Sequence, residues 1–417
     1  MRVFKTFAAL FLTLCVLLVS SGCTRFDNAD NLVISNELES DTYKNSIVPI
    51  YDVNNKKIGS ITCFNYFAFV NDSVLYTKFP ENVSTPNCLE YWLYNVETNE
   101  DHKLADIDID AYAAFYETVE DDNHLYLSIS FGEFANENSR QTIYDIDLLE
   151  YNMSPILEIE GGIPYNSFTI ANKKLIVAEL LYNGYTDLVE YDLSEPHSSV
   201  VVHSYDETDY FIQNSIRHIY ADNTNIYAVR LVNGGADNYS LWLDMYDFDY
   251  NLVNSIDISD ICVSTHIQRT EDGKINEWKQ YIAYFFVRNN LFYYQNFSTT
   301  TAIGVVNNDE VDRLFNIDAL FSYAMSVSDN DASDLFIQSY GDNTDYRNIF
   351  YLVNSKTHEV TTAEFFADDP LYSFRKAFRG NDKILLTMGY TPYDKGERLP
   401  ERLYYLDMND LEFKPME

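Results

Sequence analysis

Basic residues are scarce in this sequence: 28 Lys and Arg stand against 65 Asp and Glu, a formal charge of −37. A field of that sign repels phosphate backbones, so nucleic-acid binding through a general basic footprint is excluded. It also repels anionic headgroups and polyanionic wall polymers, so attachment to a membrane has to come from an anchor rather than from charge. Cysteine is scarce too, with five in 417 residues, too few for a disulfide-stapled scaffold. Neither a C-x-x-C pair nor a Cys/His zinc spacing occurs. The sequence has no G-x-S-x-G elbow, H-E-x-x-H helix, P-loop or Rossmann glycine pattern, and its seven histidines are scattered. What is abundant is apolar and aromatic: 46% hydrophobic residues, with 35 Tyr and 27 Phe, exclude a disordered chain.

The one long apolar run stands at the start. Arg2 and Lys5 precede Thr6 to Val19, and the run ends in Ser20-Ser21-Gly22-Cys23. It is short for a spanning helix of about 20 residues and has the length of a secretory h-region. Ser20, Ser21, Gly22 and Cys23 resemble the lipobox of bacterial lipoprotein precursors, a small residue followed by an invariant cysteine, with Ser20 where that family usually has Leu. The resemblance implies a signal peptide over 1–22, diacylation of Cys23 with palmitate-type chains, and a lipid anchor at the extracytoplasmic face of the cell membrane. Two acyl chains anchor stably where one is marginal. An ordinary cleaved signal peptide is the alternative.

Residues 23–46 read as the lipidated cysteine and a polar tether, broken only by Leu32-Val33-Ile34. As a flexible coil it reaches about 25 Å root-mean-square. With Cys15 removed and Cys23 acylated, Cys63, Cys88 and Cys262 remain, an odd count that leaves at least one thiol unpaired. Cys63 and Cys88 either pair across neighbouring strands or stand as small buried hydrophobes.

Residues 47–417 repeat. A polar turn precedes a short β-rich burst at Asn71-Asp72, Asp122-Asn123, Asn172-Lys173, Asp222-Asn223, Asn289-Asn290, Asn330-Asp331 and Asn381-Asp382. The bursts begin at Leu75, Leu125, Leu175, Ile226, Leu291, Leu335 and Ile384, spaced by 50, 50, 51, 65, 44 and 49 residues. Apolar segments on both sides of each turn predict hairpins, with Asn and Asp tolerating positive φ. Each burst is followed by a strand ending in Asp or Asn, as at Tyr94-Asn95, Glu150-Tyr151-Asn152, Tyr191-Asp192, Tyr246-Asp247, Val306-Asn307, Val353-Asn354 and Leu406-Asp407, and then by a final strand such as Val253 to Ile258.

Four strands per repeat, seven times, predict an all-β fold, a β-propeller of seven four-stranded blades, with eight as the alternative. An extra pair, Ile50-Tyr51-Asp52 and Lys57 to Ile61, precedes the first full repeat and is expected to close the ring, cap an edge or form a degenerate eighth blade. Tyr and Phe are expected mainly as packing between blades, Trp92 and Trp242 among them as core. Glu310 to Phe321 is the main helical candidate. The whole resembles exported propellers of the TolB-like and lipoprotein-receptor-like kind. The resemblance is one of architecture, with no shared motif from which to carry a residue role.

In such folds the loops joining second to third strands emerge on the same face as the links between blades, and that face is the expected ligand site. Here those loops combine rings with hydrogen-bonding groups: Phe134 and Arg140, Tyr182 and Tyr185, Asp237 and Tyr239, Tyr340 and Arg347, Tyr390, Tyr393 and Arg398. The largest repeat interval adds an inter-blade loop, Arg269 to Lys279, with Trp278. Rings beside amides and carboxylates suit a glycan, a peptide or a protein partner. The expected function is therefore a non-catalytic binding module at the cell surface. The alternatives are a propeller enzyme acting on glycans through paired carboxylates, or a scaffold subunit of an envelope complex. No cofactor is required. Asp106, Asp108 and Asp110 offer oxygen ligands for calcium, or are the exposed face of a strand.

Overall fold

The computed structural model describes residues 44–416, apart from 82, 84–85, 109–112, 122, 132–139, 161–166, 181–185, 194, 206–212, 234–238, 270–274, 282–283, 296–300, 308–309, 318–320, 326–333, 341–346, 367–371, 381 and 391–400. Cys23, Phe134, Tyr182, Tyr185, Asp237, Tyr393 and Arg398 lie outside the described residues, as does Asp110.

The described chain is almost wholly β. Strands β1 (Ser46–Tyr51) and β2 (Lys57–Cys63) form an opening hairpin. Four-stranded sheets follow: β3 (Asn65–Val70), β4 (Ser73–Lys78), β5 (Cys88–Asn95) and β6 (Asp101–Asp108); β7 (Ala113–Asp121), β8 (His124–Phe131), β9 (Arg140–Asp147) and β10 (Asn152–Glu160); β11 (Phe168–Ala171), β12 (Lys174–Leu180), β13 (Thr186–Asp192) and β14 (Glu195–Tyr205); and β15 (Gln213–Ala221), β16 (Ile226–Asn233), β17 (Tyr239–Tyr246) and β18 (Leu252–Asp257). A single helical turn, α1 (Ser259–Cys262), leads into a separate hairpin of β19 (Val263–Arg269) and β20 (Ile275–Tyr281).

The fifth sheet comprises β21 (Tyr284–Arg288), β22 (Leu291–Gln295), β23 (Thr301–Val306) and β24 (Val311–Ile317). The sixth is β25 (Phe321–Met325), β26 (Asp334–Tyr340), β27 (Arg347–Asn354) and β28 (Val360–Phe366), and the seventh begins with β29 (Tyr372–Gly380), β30 (Lys383–Tyr390) and β31 (Arg402–Asp407). The closing residues, β32 (Lys414–Pro415), pair on β28. These are the seven blade sheets of a β-propeller. The strand that carries the sequence repeat is the second of each sheet. An eighth blade is not formed, because β1 joins β31 in parallel, Ile50 opposite Leu403, and completes the seventh sheet with β2 as its outer edge.

Two corrections concern element type. Val311 to Ile317 and Phe321 to Met325 are strands and not a helix; Asp312 and Arg313, adjacent and both exposed, break the alternation of a half-buried strand and gave this edge strand a helical look. Within the expected Arg269 to Lys279 loop, Arg269 and Ile275 to Lys279 are strand residues of the β19–β20 hairpin.

Turn chemistry explains the hairpins. Asn71 and Asp72 (φ 45° and 60°), Asn172 and Lys173 (49° and 61°) and Asn289 and Asn290 (49° and 61°) supply two consecutive left-handed residues, as a two-residue turn matching strand twist requires. Asp222 acts differently. Its turn is four residues long, and its carboxylate accepts from the backbone N–H of Thr224 (2.7 Å) and Asn225 (2.9 Å). The Asp or Asn that ends the third strand works in the same way. Asn95 accepts from Glu97 and Thr98, Asp247 from Asp249 and Asn251, and Asn354 from Lys356 and Thr357, each followed by a left-handed residue at Asn99, Tyr250 or His358. In the second sheet this role falls to Asp147, which holds Leu149 and Glu150, so Glu150-Tyr151-Asn152 is the turn and the start of β10 rather than the end of a strand.

The chain divides into two compact units, one of 132–140 and 160–316 and the other of 44–131, 141–159 and 317–417. In the first, Tyr227, Leu241, Leu243 and Ile256 of the fourth sheet bury against Phe292 and Tyr294 of the fifth. In the second, β3, β4 and β5 pack on one side against Leu125, Leu127 and Ile146 and on the other against Val48, Ile50 and Leu403. Tyr76, Tyr91, Tyr227, Tyr246, Tyr293 and Tyr404 are fully buried. Trp92 and Trp242 are only half-buried. Cys63 and Cys88 are both free. Among the described residues no helix is long and apolar enough to cross a membrane.

Candidate functional site

Antiparallel pairing gives each blade two ends. In the second unit the turn end carries Asn71-Asp72, Val96–Asn99 and Lys356–His358. The other, the loop end, collects the tails of β2, β4 and β30 and the heads of β1, β3, β5, β29 and β31. The second-to-third connections leave from the loop end, which is where a ligand site was expected.

Two charged residues stand there, Glu401 directly before β31 and Arg402 at its head. Glu401 accepts a hydrogen bond from the Tyr66 hydroxyl at the head of β3. Arg402 lies with its guanidinium 3.9 Å from the Tyr372 ring and 5.5 Å from the Tyr51 ring. Strand alternation sends Leu403 into the core shared with the first blade, whereas Tyr404 and Leu406 enter the core shared with Phe350 and Phe365. Tyr404 closes the aromatic floor, its ring stacked 5.5 Å from Tyr51 and edge-on 5.3 Å from Phe365. The result is a carboxylate on the face of the seventh blade toward the first blade and a guanidinium on the opposite face, each braced by tyrosine.

Protonation states follow from the surroundings. Burial pushes the Tyr66 hydroxyl well above its ordinary range and the Glu401 charge raises it further, so Tyr66 remains a donor. Burial, with a smaller contribution from Glu401, pushes the Cys63 thiol up to about 12. It stays a thiol at physiological pH and supplies no nucleophile. The rim nearby holds a second aromatic and charged group: Lys78 Nζ sits 3.6 Å above the Trp92 ring, and the Trp92 indole N–H donates to Glu90 (3.1 Å).

At the turn end polar groups link the seventh blade to the first and brace the seventh sheet internally. The Tyr405 hydroxyl meets Asp72 at 2.8 Å and Glu97 at 3.0 Å, and Lys383 donates to Asp407 at 2.5 Å. In the first unit Arg230 donates to both oxygens of the buried Asp244 (2.6 and 3.2 Å), which also accepts from Ser255. Burial holds the nearby His203 below the usual histidine range. Among the described residues no group of three or more His, Cys, Asp or Glu is placed to hold a metal ion. Asp106 and Asp108 alternate with less exposed neighbours along β6, and Asp106 pairs with Lys103 at 2.8 Å.

Of the residues expected in the site, Arg140 heads β9, Tyr239 heads β17, Arg347 heads β27, Tyr340 ends β26 and Tyr390 ends β30. Each therefore flanks a second-to-third connection. Trp278 lies within β20. Sequence reasoning missed Glu401, Arg402, Tyr66 and Tyr372. The doublet Glu401-Arg402 directly before the apolar Leu403-Tyr404 was the available signal. Tyr66 carried none, since it reads like any core tyrosine between Phe64 and Phe69.

No family model matches this chain, and no curated protein matches it. Among solved structures it is similar to an oligogalacturonate lyase from Vibrio parahaemolyticus, with 14% identity, TM-score 0.46, and 87% of this chain and 96% of that one covered. It is also similar to a protein described as a 6-phosphogluconolactonase from Bacteroides fragilis, with 10% identity, TM-score 0.43, and 83% and 98% covered. An acylaminoacyl peptidase from Pyrococcus horikoshii gives 13% identity and TM-score 0.43, over 74% of this chain and 47% of that one. At these values no activity and no residue role transfers to this chain.

Proposed function

We propose that this chain is a bacterial lipoprotein, anchored through Cys23 and carrying an extracytoplasmic propeller of the TolB-like or lipoprotein-receptor-like kind. Its loop end binds a glycan, peptide or protein partner at the cell surface. The supporting observation is the head of β31, where Glu401 and Arg402 are fixed by Tyr66, Tyr372 and Tyr51. Preorganised charges set in aromatic surfaces fix a polar ligand's orientation while the rings cover its apolar parts. The thiol of Cys63 is inert, and the hydroxyl of Tyr66 serves as a hydrogen-bond donor, which suits recognition rather than covalent chemistry.

A glycan and peptide array probed with residues 24–417 tests the reading. A hit whose affinity falls roughly tenfold or more in Arg402→Ala, with the melting temperature held within a few degrees, supports it. A hit bound equally by wild type and variant removes the head of β31 from the site. Mass spectrometry of the membrane fraction tests acylation at Cys23.

A further inference from the structure

The outer edge of the third sheet is built unlike the others. The last strand of a sheet presents a row of N–H and C=O groups outward, and natural folds blunt such rows with charge, proline, brevity or a covering segment. Here β6 carries exposed Lys103, Asp106 and Asp108, β10 carries Pro155 and Glu158, and β24 carries the exposed pair Asp312 and Arg313. Strands β18 and β2 are six and seven residues long, the first ending on Asp257 and the second beginning on Lys57. The edge of β28 is covered: β32 adds to it antiparallel, with Lys414 opposite Thr362. By contrast β14, with 11 residues, is the longest strand among the described residues, and from His197 to Tyr205 it has no Lys, Arg, Asp, Glu, Pro or Gly. Val200 and Val201 at its middle are 57% and 54% exposed and face opposite sides of the sheet. Among the described residues no strand pairs with its outer side.

We propose that this edge receives an extended segment of a partner protein, added antiparallel as a further strand, with a neutral centre and lysine or arginine at both ends. Outward-facing backbone donors and acceptors are matched in full only by another extended backbone, which makes strand addition the mode of binding. The sign of the partner follows from the carboxylates. The β13–β14 register sets Asp192 opposite Glu195 at one end of the strand and Asp187 opposite Ser204 at the other, with the uncharged Ser198–His203 between them. Lys174 of β12 is engaged by Glu190 of β13. A second copy of the chain brings the same formal charge of −37 to these acidic ends, whereas a basic segment is attracted to them. The addition of β32 to β28 is the same arrangement inside the molecule, a short antiparallel strand bearing a lysine. Neither the anchor at Cys23 nor a ligand at the head of β31 is needed for it.

The test is a titration of the full-length protein with a synthetic peptide of alternating Thr and Val that bears lysine pairs at both ends. Binding is expected, with slowed amide exchange at Ser199–Ser204. Affinity is expected to fall about tenfold or more in Val201→Lys and to stay within about twofold in Val253→Lys, which adds the same charge at an exposed position of β18. Both variants are expected to melt within a few degrees of wild type. Replacing the peptide's lysines with glutamate, or methylating its backbone amide nitrogens, is expected to abolish binding. Absence of binding by the lysine peptide, equal losses in the two valine variants, or protection away from β14 overturns the proposal. So does a dimer in sedimentation that Val201→Lys dissociates, since the occupant is then a second copy.

Discussion

At the scale of single residues, the fold depends on polar side chains that answer backbone or charge at fixed points. Asp244 is almost fully buried with Arg230 and Ser255 on its oxygens. Asp244→Ala strands a guanidinium, and urea unfolding should show a loss of about 3–5 kcal/mol, whereas replacing both Arg230 and Asp244 with apolar residues of similar size should cost less than that single change. Asn289 and Asn290 occupy left-handed φ; a β-branched residue there, as in Asn289→Val, should cost about 1–2 kcal/mol by the same measurement.

Asp72 gives a pH signature. Burial is the main cause that lifts its carboxyl above the usual range, and repulsion from Glu97 and Asp382 adds to this against the opposing Tyr405 bond. A carboxyl raised on folding favours the folded state when protonated, so its charged form is a cost at neutral pH. Asp72→Asn should therefore raise the melting temperature at pH 7, and the gain should shrink as pH falls through the carboxylate range. An unchanged gain at pH 3 would contradict this.

At the scale of elements, the second strands were readable from sequence because their hairpin turns demand Asn or Asp and their apolar bursts sit fully between blades. Leu75, Leu125, Leu175, Ile226, Leu291 and Ile384 are all buried. The outer strands were less readable. Val311 to Ile317 has adjacent exposed charges at Asp312 and Arg313 and no turn pair to mark it, so it lacked the alternation of a strand. The pairing of β1 with β31 spans the length of the chain, and no local pattern announces which of three fates an orphan hairpin takes. That pairing should matter: Ile50 is fully buried beside Leu403, and Ile50→Ala should lose about 2–5 kcal/mol in denaturant unfolding. The fifth sheet has its own constraint. A Cβ on Gly304 would lie 2.4 Å from Val311 Cγ1 and 3.1 Å from the Asp312 carbonyl, so Gly304→Ala should destabilise β23–β24, seen as faster amide exchange in Val311–Ile317.

At the scale of the whole molecule, a chain rich in tyrosine and phenylalanine carries a formal charge of −37, and many of its rings are buried in packing between blades. The positions of the second-to-third connections were readable in outline, because those stretches are long and polar in the sequence. The residues at the head of β31 were not, because their environment is made by Tyr66 and Tyr51, more than 300 positions away in sequence. Hydrogen exchange of residues 24–417 with and without an array-identified ligand compares the two ends within one molecule. Slowed exchange at Cys63–Tyr66, Phe79–Glu81 and Glu401–Arg402, with Asn71–Asp72, Glu97–Asn99 and Lys356–His358 unchanged, is the predicted result. Protection confined to the latter three segments would contradict a ligand at the loop end.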